Sequence, residues 1–97
     1  MDNILSIMTQ FSIDKNPADI RLELAQRTRA LRKELKMSQS ELAQRANVSL
    51  GSYKRFESSG QISLESLLKI AFILGRLTDF ETLFQLNKLK DIDKLFK

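Results

Sequence analysis

Residues 38–57 read SQSELAQRANVSLGSYKRFE, and the parsing of this stretch decides the fold. Ser38 and Glu41 have the spacing of a capping box, in which the serine hydroxyl accepts the Glu41 amide and the glutamate reaches back to the serine amide. A helix therefore starts at Gln39. Leu42 and Ala43 face inward on it, and Ala43 is small enough to let a crossing helix come close. The helix stops at Ala46-Asn47, because asparagine takes the left-handed conformation more readily than most residues. Val48 plugs the corner and Ser49 caps a second helix. Tyr53 and Phe56, three apart, turn inward and leave Leu50, Gly51, Ser52, Lys54 and Arg55 nearer the surface. Two short helices that are apolar on one side and small, polar or basic on the other form a surface suited to lie against another body.

Upstream, Asn16-Pro17-Ala18-Asp19 is a helix start: Asn16 accepts from orphan amides, Pro17 is pre-set for the first helical position, and Asp19 is favoured by the dipole. The helix runs to about residue 35. Ile20, Leu24, Thr28, Leu31 and Leu35 make its predicted core stripe, with Arg21, Arg29, Arg32 and Lys36 on an adjoining one. Residues 1–15 fit two periods: Ile7, Thr9, Phe11 and Ile13 alternate as in a strand, whereas Ile4, Leu5, Met8 and Phe11 recur as in a helix. Downstream, Ser63 caps a fourth helix over residues 64–74 that ends at Gly75, with Leu64, Leu67, Leu68, Ala71 and Leu74 as its inner stripe. Ile70, Phe72 and Ile73 then remain as surplus apolar area, which favours a homodimer. Thr78 and Glu81 read as another capping box opening a fifth helix with Phe80, Leu83 and Phe84. Ile92, Leu95 and Phe96 share one helical face in residues 87–97. The expected organisation is all-α: an N-terminal arm (1–15), a five-helix domain (16–86) and a short C-terminal tail (87–97).

Composition narrows the chemistry. Ninety-seven residues suit one domain with one modest core. Without cysteine or histidine, the usual zinc ligands, the usual neutral-pH base and the best thiol nucleophile are all missing. No enzyme, metal or cofactor is expected, and Asp91 and Asp93 read as a solvated pair. The cysteine-free chain suits a reducing cytoplasm. No apolar run approaches the roughly 20 residues of a membrane span, and the start, with Asp2, does not look like a secretory signal. The three glycines, Gly51, Gly60 and Gly75, form no phosphate loop. Of the net charge of +4, residues 21–55 carry nine basic and three acidic side chains, a block of +6 that leaves −2 elsewhere. Such asymmetry suits a polyanionic partner.

Gln39, Ala43, the Asn47-Val48 turn, Ser49 and Glu57 together resemble the helix-turn-helix pattern of the XRE/Cro family of repressors, over roughly residues 31–83. The resemblance implies a repressor-like DNA-binding domain in which the helix from Leu50 enters the major groove of double-stranded DNA. Leu50, Gly51 and Arg55 would face base edges, while Gln39, Ser49, Ser52 and Lys54 would contact phosphates or brace the helix. An arginine fork suits guanine O6 and N7, and Leu50 suits a thymine methyl, whereas Gly51 departs from the long polar side chain common at its position. Glu57 would form a structural ion pair with Arg32. The implied function is transcriptional repression by a dimer on a palindromic operator. The resemblance extends to HipB-like antitoxins, which would add a toxin partner such as a HipA-like kinase. Two other classes fit less well. A membrane-surface helix needs the apolar face that the first helix gives to the core, and an RNA binder needs exposed aromatics where these sit at core spacing.

Overall fold

The computed structural model describes residues 15–86, and within them the fold is all-helical. Five helices follow in order: α1 (Pro17–Glu34), α2 (Gln39–Ala46), α3 (Leu50–Ser59), α4 (Leu64–Ile73) and α5 (Thr78–Glu81). The expected arm, apart from Lys15, and the expected tail lie outside the described residues.

Each of the first four helices starts on a side-chain cap. Asn16 accepts the Asp19 amide at 3.0 Å and Asp19 returns to the Asn16 amide at 3.1 Å. Ser38 and Glu41 make the same reciprocal pair at 3.0 and 3.1 Å. Ser49 accepts from Ser52, and Ser63 from Ser66, each at 3.1 Å. A cap of this kind contributes about 1 kcal/mol. The carboxyl of Glu41 is held below its ordinary value, first by the backbone amide of Ser38 and then by its hydroxyl.

Three helices end in the same way, with one left-handed residue followed by a backward amide bond. Lys36 (φ 58°), Asn47 (φ 56°) and Gly75 (φ 72°) each turn the chain. The next amides, of Met37, Val48 and Arg76, then return to the carbonyls of Arg32, Ala43 and Ala71 at 3.1, 2.9 and 2.8 Å. Met37 and Val48 are thereby driven into the core, where both are buried.

α1 packs chiefly on α3, and α2 lies against both α3 and α4. Tyr53, Phe56, Leu42 and Ile70 are the largest fully buried side chains, each worth roughly 1.5–3 kcal/mol of burial. The rings of Tyr53 and Phe56 meet at 6.2 Å between centroids with a tilt of 60°.

The structure corrects three local expectations. On α1 the buried residues are Ala25, Thr28 and Arg32, while Ile20 and Leu35 are about half exposed. Steps of four drift around a 3.6-residue helix, so the true inner face lies roughly a quarter turn from the stripe drawn through Ile20. On α4 it is Ile70, Ala71 and Leu74 that are buried, whereas Leu64 is exposed. That helix is apolar nearly all round, and periodicity alone does not choose its inner face. Thr78 makes no cap, because Leu77 before it is already helical (φ −60°, ψ −31°) and no side-chain cap bond forms. α5 is one turn long, and Leu83 and Phe84 lie beyond it.

Candidate nucleic-acid interface

Ser49 sets the start of α3, its hydroxyl accepting the Ser52 amide and donating to the Ser52 hydroxyl at 2.8 Å. Tyr53 and Phe56 bury one side of this helix. Leu50, Gly51, Ser52, Lys54 and Arg55 are all exposed on the other. Among the described residues, the charged groups of Lys54 and Arg55 have no ion-pair partner, and both remain available to a ligand.

α3 is held at this angle by a buried polar cluster centred on the carboxylate of Glu57. One carboxylate oxygen accepts from Arg32 Nε at 2.7 Å and from the Tyr53 hydroxyl. The other accepts from Arg32 Nη2 at 3.1 Å and from Gln39 Nε2 at 2.9 Å. Four donors fill the four acceptor directions of the carboxylate, and the two arginine bonds form a planar fork. Arg32 Nη1 also donates to the Met37 carbonyl at 2.8 Å, tying in the turn between α1 and α2. One carboxylate thus fastens α1, α2 and α3 together, and no buried side-chain polar atom among the described residues lacks a partner.

Burial pulls the Glu57 carboxyl upward, but the donors Arg32, Tyr53 and Gln39 and the arginine charge outweigh it and hold it below the ordinary value of 4.5. Hydrogen bonding to Glu57 raises the Arg32 guanidinium further, against the opposing effect of burial. The Tyr53 hydroxyl is pushed up by burial and then by the neighbouring carboxylate. The ion pair is charged at neutral pH, and the tyrosine is neutral.

The residues singled out in the sequence thus fall into two groups. Leu50, Gly51, Ser52, Lys54 and Arg55 share the outer side of α3, capped by Ser49. Gln39 turns to Glu57 and braces α3, with one amide hydrogen committed there. Three contributors went unread. Tyr53 stands four residues before Glu57, a spacing that brings their side chains together on a helix. Arg29 reaches within 3.9 Å of Glu57 from the exposed side of α1. Arg21 Nε donates to the Ser59 carbonyl at 3.1 Å and caps the C-terminal end of α3 across 38 positions of sequence, a distance at which no local signal exists.

Gly51 has nothing within 4 Å of an added Cβ. Gly51→Ala is therefore expected to raise stability by about 0.5 kcal/mol through helix propensity, as read from urea unfolding. Any accompanying change in DNA affinity then originates at the DNA-facing surface and not in the fold.

Two short helices joined by the three-residue turn Asn47–Ser49, with the second capped, braced from behind and exposed in front, constitute a helix-turn-helix unit. A helix-turn-helix family profile matches residues 29–80, just over half the chain, and the protein belongs to the XRE-type helix-turn-helix family, a class of DNA-binding regulatory domain. No curated protein and no solved structure matches the chain. No helix among the described residues is long and apolar enough to cross a membrane, and no cluster there could hold a metal ion.

Proposed function

We propose that the protein is a sequence-specific transcriptional repressor of the cytoplasm, without enzymatic activity, that binds a palindromic operator as a homodimer. The observation that carries this reading is the outer side of α3, where Arg55 and Lys54 stand exposed and unpaired beside Leu50 and Gly51. Arg55 reads a guanine through its fork, Leu50 touches a thymine methyl, and Gly51 lets the helix approach closely. Lys54, Ser49 and Ser52 contact phosphates, and Gln39 holds the helix at its angle. The region 21–55 supplies the positive field.

Dimerisation rests on apolar residues that one copy leaves in water. Leu64, Leu68 and Phe72 repeat every four residues along α4, and Leu64 and Phe72 are about two-thirds exposed. A two-fold axis then places two recognition helices about one helical turn of DNA apart, roughly 34 Å.

Binding-site selection with purified protein tests the assignment. Arg55→Ala is expected to lose about 1–3 kcal/mol of preference at one base pair of each half-site. Lys54→Ala should weaken all sequences alike and flatten the salt dependence. An unchanged selected sequence without Arg55 would remove it from base readout.

A further inference from the structure

Between α1 and the α4–α5 segment lies a groove of about 920 Å³ with mainly apolar walls, among them Leu24, Leu31, Leu67, Leu74, Leu83 and Phe84. No residue of α2 or α3 lines it, so whatever fills it leaves the outer side of α3 clear. Leu83 is half exposed, Phe84 fully so, and Leu86 beyond them is about 69% exposed. An apolar channel of this size in so small a domain needs an occupant.

We propose that residues 87–97 dock in this groove as a helix, with Leu89, Ile92, Leu95 and Phe96 against its apolar walls. The sequence NKLKDIDKLFK places those four side chains on one helical stripe, and Lys90, Asp91, Lys94 and Lys97 on the opposite side toward water. Eleven helical residues span ~16 Å, and the α1 residues lining the groove, Ile20 to Glu34, span ~21 Å, so the segment fits lengthwise. Asp93 falls at one edge of the stripe, where it can meet Arg27, a groove residue with no ion-pair partner among the described residues.

Continuity favours this segment over other occupants. Phe84 lines the groove and Asn87 follows three positions later, so the connection is short and its closure costs little. Tethered in this way, the segment competes at an effective concentration in the millimolar range, which a second copy reaches only in concentrated solution. Residues 1–14 are also covalently attached, but their apolar positions form no single stripe. Docking removes this groove from the surfaces open to two-fold pairing and leaves the outer stripe of α4 for that purpose.

The full chain has no cysteine, which makes engineered disulfides unambiguous. Ala30 is exposed and lines the groove. Ala30→Cys is combined in turn with Leu89→Cys, Ile92→Cys and Phe96→Cys, so that either direction of the helix brings one pair together. Ala30→Cys with Lys90→Cys or Lys94→Cys serves as the water-facing control. Under dilute oxidising conditions at least one stripe pair should form an intramolecular disulfide roughly tenfold faster than the controls, the gain that docking gives over an untethered segment. Circular dichroism of the reduced variants verifies that each is folded. Equal rates for stripe and control pairs would overturn the proposal. A covalent dimer would assign the groove to a second copy, and preferential crosslinking of Ala30→Cys to Phe11→Cys would assign it to residues 1–14; either result also overturns it.

Discussion

Arg32→Ala is expected to cost the domain about 3–5 kcal/mol, because it leaves the carboxylate of Glu57 buried and short of its main partner. Both side chains are nearly inaccessible, 9% and 5% exposed, so solvent does little to compensate. Two of the four donors to the carboxylate disappear together, along with the bond to the Met37 carbonyl. Urea unfolding measures the loss, and a value under about 1 kcal/mol would place the pair with ordinary surface ion pairs. DNA affinity should fall as well, since α3 loses its fastening to α1. The pH profile carries a second signature. The Glu57 carboxyl is held below its ordinary value in the folded state, so its stabilising effect is complete above about pH 4.5 and is lost as pH falls through the folded value. Without Arg32 the carboxyl titrates higher, and acid unfolding should begin at higher pH. The raised Tyr53 hydroxyl acts in the opposite direction: its contribution is complete below about pH 10 and is lost as pH rises through the folded value.

Gly60→Ala should be nearly as damaging, at about 3 kcal/mol, from roughly 1–2 kcal/mol for a left-handed non-glycine residue and the remainder from overpacking. Gly60 closes α3 with φ 78°, and an added Cβ would stand 2.7 Å from the Arg21 carbonyl oxygen and 2.8 Å from its carbon. Those are backbone atoms of α1, so α1 and α3 would have to separate. Gly75 provides the control, having φ 72° but nothing within 4 Å. Gly75→Ala should cost only the backbone contribution, about 1–2 kcal/mol. Equal losses in the two variants, measured by thermal or urea unfolding, would show that α1 yields freely at Arg21.

What the sequence discloses about this fold is mostly local chemistry. Asn16, Ser38, Ser49 and Ser63 each cap a helix through a bond within three residues, and Asn47 turns the chain by its own conformational tolerance. Such signals are complete within a short window. Lys36 makes the same left-handed turn as Asn47 without any residue type that advertises it; the return of the Met37 amide to Arg32 holds it there. The inner face of α4 was misplaced because Leu64, Leu67, Leu68, Ile70 and Ile73 surround the helix, and only packing against α2 selects Ile70. Thr78 and Glu81 have the letters of a cap, but the helical conformation of Leu77 leaves that cap unformed. At the candidate interface, the outer residues of α3 followed from the inward turn of Tyr53 and Phe56. The bracing around Glu57 joins residues up to 25 positions apart, and Tyr53 and Arg29 enter it only through the tertiary fold.

The side chains that fasten α3 and those that face outward from it are separate sets. Glu57, Tyr53 and Phe56 carry the stability, whereas Leu50, Gly51, Lys54 and Arg55 touch little else in the domain. Under the proposed function, substitutions at the outer positions can change which operator is bound at almost no cost in folding free energy. Divergence of target among related regulators would then proceed through four exposed positions while the buried carboxylate stays constant, a separation that also makes this domain a tractable scaffold for reprogrammed DNA recognition.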